Sequence, residues 1–85
     1  MTLLQLKYVI TVASSQTISK AAEELYITQP SLTASIKELE NEIGITIFQR
    51  TNKGIVLTME GEEFLSYARQ IIGQFQLLEE RYLGT

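Results

Sequence analysis

Eighty-five residues with seven Lys+Arg, ten acidic residues and a formal net charge of −3 describe one small globular domain, 45% of it hydrophobic and 20% charged. Cys, His and Trp are absent and every acid is Glu, which excludes the usual zinc sites, Cys and His nucleophile systems and Ser-His-Asp triads. The acidic balance also counts against a nucleic-acid binder until the charges are placed along the chain.

The first periodic segment is LLQLKYVITVAS, where Leu3, Leu6, Val9, Ile10 and Ala13 recur at helical spacing behind Thr2 as N-cap. Ser14-Ser15-Gln16 breaks the pattern. A second short helix opens at Thr17 and runs to about Leu25, with Ile18, Ala21, Ala22 and Leu25 on one face and Lys20, Glu23 and Glu24 on the other. The paired alanines let another helix cross closely. After Tyr26 and Ile27 comes a third helix capped by Thr28, with Pro30 in its first turn, where a missing N–H costs nothing. Leu32, Ile36, Leu39 and Ile43 form its buried stripe, and Gly44 stands where a left-handed C-cap belongs. Two helices so closely joined make a helix-turn-helix unit.

The period then changes. ITIFQR and GIVLT are β-rich runs joined through Thr51-Asn52-Lys53-Gly54, which predicts a hairpin. From Thr58 to about Leu83 the helical pattern returns. Phe64, Ala68, Ile71, Phe75, Leu78 and Tyr82 alternate steps of four and three, the spacing of a coiled-coil seam, and Leu65 and Ile72 widen it. Such a helix is about 35 Å long, too long to lie wholly against so small a body, so part of it is expected to pair with another chain. The predicted fold is mainly α: a winged helix-turn-helix over residues 1–58, then a linker and dimerisation helix over 59–85.

With the Leu32 stripe inside, the outer arc of the third helix holds Pro30, Thr33, Ala34, Lys37 and Asn41, flanked by Gln29 and Ser31. Small hydroxyls, an amide and a base on one face suit a DNA major groove, where the first turns of such a helix meet base edges. Gln29 suits adenine, Thr33 several bases, Ala34 a thymine methyl, and Lys37 a phosphate or guanine. An ordinary solvated face would look similar. Thr17, Ser19 and Ser31 stand at helix starts, where free N–H groups and hydroxyls meet phosphates, though for Thr17 capping alone is an equal explanation. Lys53, at the hairpin tip, fits a minor groove or plain solvent. Arg50 is expected to brace the hairpin to the body through a Glu.

Residues 1–61 resemble the N-terminal DNA-binding domain of LysR-type transcriptional regulators. The resemblance is carried by LLQLKYVITVA, by TISKAAEELYITQPSLTASIKELENEIGITIFQR and by GIVLTMEG. It implies a bacterial winged helix-turn-helix that dimerises through the long helix and binds double-stranded, inverted-repeat operator DNA. Gln29, Pro30 and Thr33 then match positions that meet DNA, and Lys53 matches the wing position. The family often carries Arg at the position of Ala34 and Gln at that of Ser35; Ala34 removes a guanine or phosphate contact and leaves the operator A·T-leaning at that step. The resemblance also implies a C-terminal domain, absent here, that binds a small-molecule effector, so the 85 residues read as a fragment. No cofactor or metal is expected in the domain itself, and tetramers are open to the full-length protein.

Other readings are a winged-helix interaction module without DNA, another winged-helix regulator such as the molybdate-responsive type, and an enzyme working through two Glu residues. Glu60, Glu62 and Glu63 cluster where acids favour a helix N-terminus, which makes the enzyme the weakest of these. The chain carries no membrane span or secretory signal, and a cytoplasmic location is expected. Residues 1–58 hold five bases and five acids, whereas residues 59–85 hold two bases and five acids. The acidic excess therefore lies on the long helix, and the proposed DNA reader is neutral.

Overall fold

Four helices and one antiparallel hairpin follow in the order α1 (Leu3–Ser15), α2 (Ile18–Leu25), α3 (Gln29–Ile43), β1 (Phe48–Thr51), β2 (Gly54–Leu57) and α4 (Met59–Leu83) in the computed structural model, which describes residues 1–84. Every helix begins behind a threonine. Thr2, Thr17, Thr28 and Thr58 sit in extended backbone, and each side chain accepts a hydrogen bond from the N–H three residues on. Caps of this kind contribute about 1 kcal/mol apiece. At Thr2 the cap is reciprocal, because the Thr2 N–H donates to the Gln5 side-chain oxygen at 3.0 Å.

The core forms where α1 crosses α2, α3 and α4. Val9 and Val12 of α1 meet Ala21 and Ala22 of α2, Leu32, Ile36 and Leu39 of α3, and Leu65 of α4, all of them buried. A second cluster joins Leu6 to Ala68 and Ile72. The inner face of α1 is thus Leu6, Val9 and Val12, flanked by buried Gln5 and Ser15, while Ile10 and Ala13 lie at its edge and Leu3 is exposed. This differs from the predicted stripe because α1 is central and is covered on more than one side. Its two buried polar groups are satisfied: the Gln5 amide donates to the Ser35 carbonyl and the Ser15 hydroxyl to Glu24.

The hairpin is shorter than the β-rich run suggests. β1 begins at Phe48, and Phe48–Leu57, Gln49–Val56, Arg50–Ile55 and Thr51–Gly54 are cross-strand partners, leaving Asn52 and Lys53 as the turn. Ile45–Ile47 are not strand, because the Glu40 carboxylate takes the Ile47 N–H at 2.7 Å and the Phe48 N–H at 3.3 Å. This pins the chain as it leaves α3 and drives Ile47 fully into the core. Glu40→Ala should lower the unfolding free energy by about 2 kcal/mol, since two partly buried donors lose a charged acceptor; urea unfolding measures it, and an unchanged midpoint would refute it.

The wing is also strapped to the body. The Ile55 N–H donates to the carbonyl of Gln16 at 3.0 Å. Gln16 holds a left-handed conformation, φ 68°, as the C-cap of α1. Gly54, φ 124°, lies so close that an added Cβ would stand 2.7 Å from the same carbonyl, so only glycine fits there.

α4 is 25 residues long and accounts for the longest dimension of the molecule, 44 Å against 25 and 21 Å. Its seam divides. Ala68 is buried against Leu6 and Phe64 packs on both clusters, so these two predicted interface residues are taken up by packing within the chain. Phe75 is half-buried, with the Lys7 ammonium 5.5 Å from its ring centroid. Ile71, Leu78 and Tyr82 are exposed. The physical reason is that α1 begins beside the middle of α4, Leu6 against Ala68 and Ile72 and Lys7 beside Phe75, and runs back toward the start of that helix, so its apolar face does not cover the distal turns. The helix ends at Leu83, with Gly84 as its left-handed cap; Thr85, the last residue assigned to it from sequence, lies outside the described residues.

Candidate nucleic-acid interface

The helix-turn-helix is set by its turn. Tyr26 adopts a left-handed conformation, φ 58°, and its N–H donates to Glu23, while the Ile27 N–H donates to Ala22. This closes α2 in one residue and directs the chain into α3. Ala21 and Ala22 are too small to hold the helices apart, and α3 packs on α2 with Leu32 inward. The opposite face of the first turns of α3 therefore points to solvent.

Gln29, Pro30, Thr33 and Ala34 line one open concavity, together with Ile18 of α2 and Arg50 of β1. Lys37 lines a neighbouring hollow with Thr33, Glu40 and Arg50. Thr17 and Ser19, at the start of α2, line a third with Gln29, Arg50 and Gly54. Seven of the residues singled out from sequence thus gather on one surface made by α2, α3 and β1. Ser31 stands apart in role: its N–H and hydroxyl both bond the Thr28 hydroxyl, at 3.2 and 2.9 Å, so it completes the helix cap. Thr17 likewise caps α2 through the Lys20 N–H at 3.2 Å and stays exposed. Lys53 is exposed at the hairpin tip, where its N–H donates to the Thr51 hydroxyl.

Arg50 overturns its expected role. Among the described residues the one ion pair joins the N-terminal ammonium to Glu42, and Glu40, the acid beside Arg50, is turned to backbone N–H groups. Arg50 instead lines all three hollows. The signal was present in the strand period: residues two apart share a face, so Arg50 follows Phe48 onto the side of the wing that faces α3.

Electrostatically the surface is cationic despite the neutral domain. Lys37 and Arg50 flank it, and Glu40 is the one acid that lines it. Small hydroxyls, an amide, a methyl and two cations on a protruding helix beside a hairpin can dock into a groove and hydrogen-bond base edges and phosphates. Among the described residues no group of three or more potential metal ligands converges, and no helix is long and apolar enough to cross a membrane.

Comparison with known proteins bears on the domain as a whole. Residues 3–62 match the profile of the bacterial regulatory helix-turn-helix protein, lysR family. The HTH-type transcriptional regulator BsdA of Bacillus subtilis is 40% identical over 93 residues, covering 100% of this chain and 32% of BsdA. The chain spans about a quarter to a third of the length of the curated relatives it matches first. The crystal structure of the CbnR_DBD–DNA complex superposes with a TM-score of 0.90 at 34% identity, covering 99% of this chain and 97% of that one. The BenM_DBD/benA site 1 DNA complex does so with a TM-score of 0.90 at 33% identity, covering 95% and 94%.

Proposed function

This chain belongs to the lysR family of bacterial regulatory helix-turn-helix proteins, and we propose on that premise that it binds operator DNA sequence-specifically as the DNA-binding domain of a transcriptional regulator. α3 enters a major groove, the wing lies near the adjoining minor groove, and two copies joined through α4 meet the halves of an inverted repeat. The observation that carries this reading is the single solvent-facing surface on which Gln29, Thr33, Ala34, Lys37 and Arg50 converge. The DNA bound by the CbnR and BenM domains of the same shape supports it.

Role follows position. Gln29, Pro30, Thr33 and Ala34 meet base edges; Thr17, Ser19 and Lys37 meet the phosphate backbone; Ser31 supports the first turn they share. The exposed apolar residues Ile71, Leu78 and Tyr82 of α4 form the dimer contact, joined by Leu77 and by Leu3 from α1, which line the same hollow. Relatives named as transcriptional regulators support a non-enzymatic role, and a DNA-bound regulator belongs in the cytoplasm. Effector binding is assigned to parts of the longer proteins outside these residues, and this domain needs no cofactor.

Titration of labelled duplex DNA from about 50 to 200 mM salt tests the reading: affinity should fall steeply, as counterion release requires, while a preferred sequence keeps its advantage over random DNA. Lys53→Ala should weaken binding evenly across sequences and flatten the salt slope by about one unit. A dimer that fails to bind any duplex at about 50 mM salt would leave the interaction-module reading instead.

A further inference from the structure

The recognition face of α3 presents the Gln29 amide, the Thr33 hydroxyl and the Lys37 ammonium, and no guanidinium. At Ala34 the face ends in a methyl group, which leaves the concavity beside it open. Arg50 enters that concavity from the side. Its strand partner is Ile55, whose N–H holds the wing against the Gln16 carbonyl at 3.0 Å, so the backbone carrying Arg50 is fixed relative to α2 and α3. The side chain itself is exposed and has no ion-pair partner among the described residues. A planar guanidinium held at a groove-facing surface and not engaged by a carboxylate matches the paired acceptors O6 and N7 of guanine.

We propose that Arg50 is a specificity-determining residue of the DNA interface, supplying from the wing, across Ala34, the guanine-reading guanidinium that α3 lacks. The proposal rests on the assignment of α3 to the major groove. It returns guanine discrimination to a step that α3 alone would leave A·T-leaning. A phosphate contact by the same side chain would instead strengthen all sequences alike.

Selection of bound duplexes from a random library by the 85-residue chain separates these outcomes, followed by competition between the selected site and the same site with its guanine replaced. The unmodified chain should select a guanine in each half-site. Arg50→Lys should keep binding to random duplex and the salt slope, yet lose preference for that guanine by roughly ten- to a hundredfold. Ala34→Arg placed in the Arg50→Ala chain should restore a guanine preference. Thermal unfolding of the variants should match the parent, because Arg50 is exposed and unpaired. Unchanged guanine preference in both Arg50→Lys and Arg50→Ala overturns the proposal, as does equal weakening on selected and random DNA. A parent chain that selects no sequence at all strikes the DNA reading itself, a result distinct from either because it precedes any substitution.

Discussion

Gly61→Ala is expected to lower the unfolding free energy by about 3 kcal/mol or more, beyond the loss of any single helix cap. An added Cβ would stand 2.1 Å from the carbonyl oxygen of Ile47 and 2.9 Å from its carbon. Both are backbone atoms, so no side-chain rotation relieves the clash. The Ile47 carbonyl is also the point where α4 is tied to the body, accepting from the Thr58 N–H at 2.9 Å and from the Thr58 hydroxyl. Moving α4 away to make room would break those bonds and the cap they share with the Gly61 N–H at 2.8 Å. For a domain of this size, where total stability is about 4–13 kcal/mol, the loss is a large fraction. Thermal unfolding at fixed protein concentration should record a drop of about 4–8 °C per kcal/mol. Gly73→Ala is the internal comparison. It lies in the same helix with nothing within 4 Å of the added carbon, so it should stabilise by up to about 1 kcal/mol through helix propensity. Equal effects at both glycines would show that the close approach at Ile47 does not limit the fold.

Leu78→Glu is expected to convert the proposed dimer to monomers and to weaken DNA binding by about two to four orders of magnitude, the advantage that linking two half-site contacts confers. Leu78 is 56% exposed in the single chain, so the substitution leaves the fold intact. In a paired helix the same position would bury a carboxylate without a partner, at a cost of several kcal/mol. Sedimentation reads the oligomeric state and unfolding of the monomer reads the fold. Ala68→Glu gives the contrasting result: Ala68 is 1% exposed against Leu6, so there the domain itself should lose stability. If Leu78→Glu leaves an intact dimer, the contact lies elsewhere than on the distal half of α4.

How much of this was legible beforehand depends on the range of the forces involved. Helix starts were readable, because a threonine cap acts on an N–H three residues away: Thr2, Thr17 and Thr28 cap as the local signal indicates, and Thr58, read only as the point where the helical pattern returns, caps α4 in the same way. The α3 stripe was readable for the same reason, since a periodic apolar face needs only one neighbour to bury it: Leu32, Ile36 and Leu39 are buried, while Ile43, expected with them, is half-buried at the edge of the core. The recognition-face residues followed as its complement.

Three features were not available from local pattern. Glu40 withdraws Ile47 from the strand by a bond across seven residues, which the β-rich run ITIFQR conceals. Phe64 and Ala68 share a heptad-spaced seam with Ile71 and Leu78, yet α1 covers the first pair and leaves the second exposed. The strand period puts Arg50 on the face of Phe48, but that this face meets the concavity of α3 is decided by the Ile55–Gln16 strap, a contact between segments some forty residues apart.

Sequence alone therefore determined the elements, three of their four caps, the helix-turn-helix and the neutrality of residues 1–58, since each depends on composition or on neighbours within a turn or two of chain. Tertiary structure decided which half of α4 is free for a partner, where the wing begins and which cation stands beside the recognition helix. Those outcomes turn on which distant segment arrives to cover or tether a given residue, and periodicity carries no information about that.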